Sequence, residues 1–283
     1  MNNGNKVHCT FLHASKAFDK VLFNGLYLKL IERGAPFSFI CILIALYSGL
    51  QCAVVWNGIV GYRFDVKCGV RLGGVLSPYL FSVYIDDLIK ELRQYGHGIH
   101  VGTVFVGCIL YANNIVLLSG NCYGLQKMVD ICSDYGIRFG IRFNSSKSQT
   151  TVFGGRSPSH FVVKLNEAPV PYVDTVKYLG VFINSRTNCV DPSAALRIFF
   201  GCFNNIRPMS VLGYGRDEML AVFLAKTYCL PILLYGCETW RMSSSDKHKL
   251  DVAITVSEKI LMLVGAKVLN YYFTVALCLF HYL

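Results

Sequence analysis

At 283 residues, with 53% apolar and 13% aromatic side chains, the chain has ample material for a sizeable core and one or two domains, which excludes a disordered protein. Against 17 acids stand 27 Lys and Arg, a formal charge of +10 that suits a polyanionic partner such as nucleic acid or an acidic membrane surface, although solvated basic faces produce similar totals. Twelve cysteines without a CxxC pair, and no opening signal segment, point to a reducing intracellular compartment, cytoplasmic or nuclear, rather than to a secreted disulfide framework.

In chain order, Lys6 to Ala14 reads as a strand and Asp19 to Arg33 as an amphipathic helix ended by Gly34 and Pro36. Phe37 to Trp56 carries no charge, and as a continuous helix it would span roughly 30 Å, the thickness of a bilayer core. Ser48-Gly49 interrupts it, and Val54 to Val60 reads as two strands around Asn57-Gly58, so a buried helix followed by a hairpin is preferred to a membrane span. The stretch GVRLGGVLSPYLF supplies a glycine-rich turn and a helix start in which Ser77 caps and Pro78 fills the first turn; that helix continues to Gly96. His97 and His100, flanked by glycine and without nearby cysteines, read as a surface turn rather than a zinc site.

Val101 to Tyr111 and Ile115 to Ser119 form a predicted hairpin around Asn113-Asn114. Leu125 to Tyr135 is predicted helical, IRFGIRFN and QTTVFGG are strands, RSPSH is a loop, and VKYLGVFIN is a strand pair. From about Val190 the pattern turns helical, with ALRIFFGCFNNI and DEMLAVFLAKTYCLPILLYGCETW its clearest pieces, and an apolar tail, YYFTVALCLFHYL, closes the chain. The fold class is therefore α+β, with a mixed domain over 1–187 and a helical one over 188–283.

Three segments in a fixed order, FLHASKAFDKV, GVRLGGVLSPYLF and YANNIVLL, together resemble the reverse transcriptase of a non-LTR (LINE-type) retrotransposon. In that family they read FLDxxKAFDxV, GVRQGxxLSPxLF and YADDxxLL. YGIRFGIRFNSSKS, VKYLGVFIN and LLYGCETW follow in register, so the resemblance covers roughly residues 6 to 260. It implies a palm, an antiparallel sheet packed on helices, followed by a helical thumb. It also implies RNA-directed DNA polymerase activity on RNA and DNA, as template and primer. The fingers region that precedes the first motif in the family has no counterpart before Phe11, so the expected nucleotide pocket lacks its closing half.

Nucleotidyl transfer in the family uses two Mg2+ ions about 4 Å apart, held by aspartate oxygens. The matching positions here are His13, Asn113 and Asn114. Neutral amides and an imidazole hold Mg2+ poorly, and losing the metals costs on the order of a thousandfold in rate or more. The expectation is an inactive site that holds no metal, its three substitutions each one nucleotide from aspartate. Tyr84-Ile85-Asp86-Asp87 spells the missing motif, but it sits where Leu80, Tyr84 and Leu88 share a helical face that leaves both acids on a solvated turn.

By the same resemblance, Phe18 matches the residue that selects deoxynucleotides, and Arg71, Gly73, Gly74 and Ser77 the loop that cradles nucleotide and template. Leu72 replaces the family glutamine there. Lys147 matches a lysine proposed to protonate pyrophosphate, and Tyr178, Leu179 and Gly180 match the primer grip. Arg138, Arg142, Lys147, Arg156, Lys164 and Lys177 form a candidate basic track for phosphates. The leading reading is an inactive reverse-transcriptase-like palm and thumb; the alternatives are a non-catalytic nucleic-acid-binding scaffold and, after it, a membrane-associated protein.

Overall fold

The computed structural model describes residues 5–71, 73–155, 161–211, 220, 223–239 and 242–263. It divides into two compact units after Asp174. The sequence-based boundary at 187/188 separates element types, whereas this one separates packed bodies.

The first unit begins with β1 (Val7–Ser15), whose inward positions, among them Leu12 and Ala14, join the main core. A 3-10 turn at Phe18–Lys20 leads to α1 (Phe23–Glu32) and α2 (Phe37–Tyr47). Four two-residue strands follow: β2 (Gln51–Cys52), β3 (Val55–Trp56), β4 (Ile59–Val60) and β5 (Phe64–Asp65), with β2 paired to β5 and β3 to β4. Asn57 and Gly58 both have positive φ, 48° and 78°, as a type I′ hairpin requires, and here the Asn-Gly expectation holds. Then come α3 (Ser77–Gln94), the short hairpin β6 (His100–Val101) and β7 (Val104–Phe105), and the longer hairpin β8 (Cys108–Tyr111) and β9 (Asn114–Ser119). The unit closes with α4 (Cys122–Phe139), β10 (Arg142–Phe143), β11 (Gln149–Phe153), β12 (Lys164–Leu165) and β13 (Ala168–Pro169).

The main sheet has the order β10-β1-β9-β8, all antiparallel, with β11 also paired to β1. One face is covered by α3 and α4, through Phe81, Tyr84, Leu88, Met128 and Cys132. The second unit holds a three-stranded antiparallel sheet of β14 (Thr175–Tyr178), β15 (Val181–Asn184) and β16 (Cys189–Val190). Its helices are α5 (Ser193–Val211), α6 (Leu230–Leu234), entered through a π turn at Ala225–Cys229, and α7 (Ser244–Leu263). Phe199, Phe203, Leu233, Leu250 and Ile254 form a core of their own. The whole is mixed α+β with antiparallel sheets.

Several expectations are corrected. The helix expected from Asp19 starts at Phe23, because the 3-10 turn consumes the preceding residues. The strand expected over Val101 to Tyr111 is broken where Gly102 turns at φ 61°. Ile137 to Phe139, read as strand, complete α4, which ends only where Gly140 adopts φ 70°. Ser77 is not the cap: Leu76 precedes the helix and caps it with no side-chain bond, while the Ser77 hydroxyl donates back to the Arg71 carbonyl. The helix at 37–47 is buried only along Ile40, Leu43 and Tyr47, with Phe37 77% exposed. No helix among the described residues is long and apolar enough to cross a membrane. RSPSH, Leu72, Arg156 and the apolar C-terminal tail lie outside the described residues.

The helices are joined by a buried cation. Lys29 on α1 is only 4% exposed, and its Nζ donates to Asp87 Oδ2 on α3 at 2.9 Å and to the Tyr135 hydroxyl on α4 at 2.6 Å. The ammonium also lies 4.0 Å from the Phe139 ring centroid, and the Tyr135 hydroxyl donates a hydrogen bond to the Tyr84 carbonyl. Burial lowers the Lys29 pKa, and the hydrogen bond to Asp87 opposes that shift. Burial alone would raise the Asp87 carboxyl, but hydrogen bonds from Lys90 and Lys29 outweigh it and hold the pKa down at about 2. Asp86 pairs with Arg33 at 2.8 Å. The two acids are therefore engaged by α1 and Lys90 rather than simply solvated.

Removing one partner of a buried pair leaves the other charge uncompensated, so Asp87→Asn should lower the unfolding free energy by about 3 kcal/mol at neutral pH, read from urea titrations. Because the folded pKa lies below the ordinary aspartate value of 3.8, the Asp87 contribution is complete above that pH and is lost as pH falls toward 2. Stability of the variant should accordingly depend less on pH across that window than that of the unmodified chain; equal slopes would contradict the assignment.

Candidate functional site

β1 and β9 run antiparallel with His13 directly opposite Asn114, and His13 Nδ1 lies 3.4 Å from Asn114 Oδ1. The Asn114 amide donates to Asn113 Oδ1 at 3.2 Å, and the Asn113 carbonyl accepts from the Ala14 backbone at 2.9 Å. The three positions singled out from sequence thus meet at one end of the sheet. All three are partly exposed, on the side opposite Leu12 and Ile115, which face the core.

The turn itself is shifted by one residue from the sequence expectation. Tyr111 pairs with Asn114, so Ala112 and Asn113 make the turn and Asn114 opens β9. Ala112 carries the left-handed backbone at φ 49°, a conformation that costs a residue with a Cβ roughly 1–2 kcal/mol. The amide expected to hold the turn by accepting left-handed geometry instead pairs across the sheet.

A further support was not read from sequence. The Ser148 hydroxyl accepts from the His13 backbone N–H at 3.3 Å, and the Asn144 N–H donates to the His13 carbonyl at 2.9 Å. Asn144 Oδ1 in turn accepts from the Ser146 and Lys147 backbone, closing an Asx turn that presents Lys147, exposed, beside β1. The NSSKS run is the signal from which this turn could have been read. Arg142 pairs with Ser15, two residues from His13 and therefore on the same face of the sheet. From Val7 to Lys16, Cys108 to Ser119 and Gly140 to Gly155, the strands of this sheet and their adjoining turns contain no Asp or Glu.

The second group is assembled by backbone contacts. The Val70 N–H donates to the Phe18 carbonyl and the Gly69 N–H to the Val21 carbonyl, each at 2.8 Å, which ties the glycine-rich loop to the turn after β1. Gly69 has φ 99°, and a Cβ there would meet the Asp19 carbonyl at 2.9 Å, so glycine is required for this approach. Phe18 packs partly buried on Phe81 with ring centroids 5.0 Å apart. Arg71 and Gly73 are exposed; a Cβ on Gly74 would crowd Ser77 Oγ at 2.9 Å. Asp19, Gln51, Cys52 and Arg71 line a cleft of about 500 Å³ beside this loop.

Tyr178, Leu179 and Gly180 belong to the second unit, at the β14–β15 turn, where Leu179 and Gly180 have φ 47° and 86°. The Tyr235 hydroxyl donates to the Leu179 carbonyl at 3.0 Å. Of the residues in the candidate basic track, Arg138 pairs with Glu91, and Lys177, in the second unit, lies over the Phe182 ring. Among the described residues no group of three or more His, Cys, Asp or Glu is arranged to hold a metal. Asp86 and Asp87 make their recorded ion pairs with α1 and Lys90, none with the His13 group.

The family described as reverse transcriptase (RNA-dependent DNA polymerase) matches residues 1–183. A probable RNA-directed DNA polymerase from transposon X-element of Drosophila melanogaster is 29% identical over 254 residues, covering 86% of this chain and 27% of that protein. A retrovirus-related Pol polyprotein from the type-2 retrotransposable element R2DM of the same organism is 29% identical over 179 residues, 60% of this chain and 17% of that protein. The chain spans about a quarter of the length of the first relative and less of the second. Among solved structures, apo telomerase from Candida tropicalis, truncated from its C-terminal domain, overlaps with a TM-score of 0.49 at 14% identity over 66% of this chain and 35% of that one, a likeness too coarse to carry an argument.

Ala112→Gly should relieve the left-handed penalty and raise the unfolding free energy by about 1 kcal/mol, less whatever entropy glycine adds to the unfolded chain. A higher urea midpoint checks it; an unchanged or lower one would place the turn geometry in error.

Proposed function

Because this chain belongs to the reverse transcriptase (RNA-dependent DNA polymerase) family, in its non-LTR retrotransposon branch, we propose that it is a polymerase domain silent in nucleotidyl transfer that keeps affinity for RNA and DNA. In this reading residues 1–187 form the palm, with the β10-β1-β9-β8 sheet backed by α3 and α4, and residues 188–283 the thumb-like region. Its setting is intracellular, in the cytoplasm or nucleus, where its thiols stay reduced.

One observation carries the proposal: His13 and Asn114 face each other across β1 and β9, beside Asn113, in a sheet without a carboxylate. Mg2+ keeps its waters unless charged oxygens replace them, and these donors are two neutral amides and an imidazole. The donor set does not fit the family's metal pair, and Asp86 and Asp87, held by Lys29, Arg33 and Lys90, do not supply what is missing. The hydroxyl of a primer would find no metal held at these positions to lower its pKa.

Primer extension on a poly-adenylate template, with Mg2+ or Mn2+, should give no template-dependent product from the unmodified chain. Product above background would overturn the proposal. Affinity for nucleic acid should appear in gel shifts at low salt and fall steeply as salt rises.

A further inference from the structure

We infer that the end of the sheet around His13 binds the phosphates of nucleic acid directly, without a divalent cation, so that a position built in the family for metals has become an anion site. The inference rests on the reading that His13, Asn113 and Asn114 occupy the family's aspartate positions. Compared with three carboxylates, the present side chains remove up to three negative charges from one strand end. In the acidic version, phosphate is repelled until metals arrive; here that repulsion is gone.

What remains around the pair is positive. Arg142 stands on the His13 face of the sheet, one same-face step along from the His13–Asn114 pair by way of Ser15. Lys147 is presented by the Asx turn whose neighbours, Asn144 and Ser148, hydrogen-bond the His13 backbone on both sides. Lys16 follows β1 directly and is exposed. Among the described residues none of these three cations has a carboxylate partner, in contrast to Lys29, Arg33, Lys90, Arg138 and Lys249. The sheet they surround offers no acid to repel an anion or to neutralise them. The side-chain amide N–H groups of Asn113 and Asn114 are hydrogen-bond donors to phosphate oxygens, a role a carboxylate cannot fill. Strong local positive charge, donors at the centre and no internal counterions together describe a phosphate site.

The test is fluorescence anisotropy of the full chain with a labelled single-stranded oligodeoxynucleotide, in EDTA and in Mg2+, over a salt series. The unmodified chain should bind equally well in both. Arg142→Ala with Lys147→Ala, on exposed side chains that leave the core intact, should weaken binding about tenfold and lower the slope of log K against log salt by about two. His13→Asp with Asn113→Asp and Asn114→Asp should weaken binding in EDTA by about tenfold and regain part of it in Mg2+. Tripolyphosphate should displace the oligonucleotide no better than a salt of matched ionic strength.

An unchanged salt slope in the alanine variant, or undiminished binding of the triple acid variant in EDTA, would overturn the inference, as would an absolute need for Mg2+ in the unmodified chain. Displacement by tripolyphosphate well beyond the salt effect would overturn the assignment to nucleic-acid phosphates in favour of free polyphosphate. Primer extension by the same preparation would instead overturn the silence proposed above, while the EDTA measurement would still decide the anion site.

Discussion

Both the fold and the candidate site depend on β1 being paired along both edges. β9 lies along one edge from His8 to His13, while β11 and β10 share the other, from Val7 to Phe11 and then at Ala14 and Ser15. A strand held on both sides has no freedom to slip, because a one-residue shift would turn Leu12 and Ala14 out of the core. The same register places His13 opposite Asn114 and Ser15 opposite Arg142. The placement of the strand end is thus fixed by the core packing of the residues on either side of His13, whatever side chains point outward.

Much of this was legible in the residues. The resemblance carried by three motifs in order, with the strand expected at Lys6 to Ala14 and the hairpin expected over Val101 to Ser119, was enough to single out His13, Asn113 and Asn114 as one site. The details that escaped are of a different physical kind. Which residue of a two-residue turn takes positive φ depends on the register imposed by the neighbouring strand, so Ala112 rather than an asparagine carries it. The span of α2 looked fully buried because it is apolar all round, yet only one stripe of it finds a partner. Lys29 gives no local sign of burial, since its partners are 58 and 106 residues away. Arg138 looked like part of a basic track because its counter-ion, Glu91, comes from another helix.

The acids of the first unit are distributed unevenly. On the helical side, Asp86, Asp87 and Glu91 are consumed by cations of α1, α3 and α4, and in Asp87 that engagement outweighs a burial that would otherwise raise its pKa. On the sheet there is none to consume. Ion pairing in this unit is therefore a property of the helix layer, and Arg142 and Lys147 beside the sheet have no carboxylate partner among the described residues. A net charge of +10 understates this contrast, because it averages a nearly neutralised layer with an uncompensated one.

The Asn114 amide donates to Asn113 Oδ1, a bond that two carboxylates in the same places could not make, and His13 Nδ1 lies against Asn114 Oδ1. Three carboxylates in this cluster would repel one another until cations joined them, a cost the present side chains do not carry. Chaperones and proteases triage chains by the fraction unfolded. For such a surveillance system the loss of the catalytic groups is no defect, because the chain that cannot hold metals is also the one that does not need them to fold.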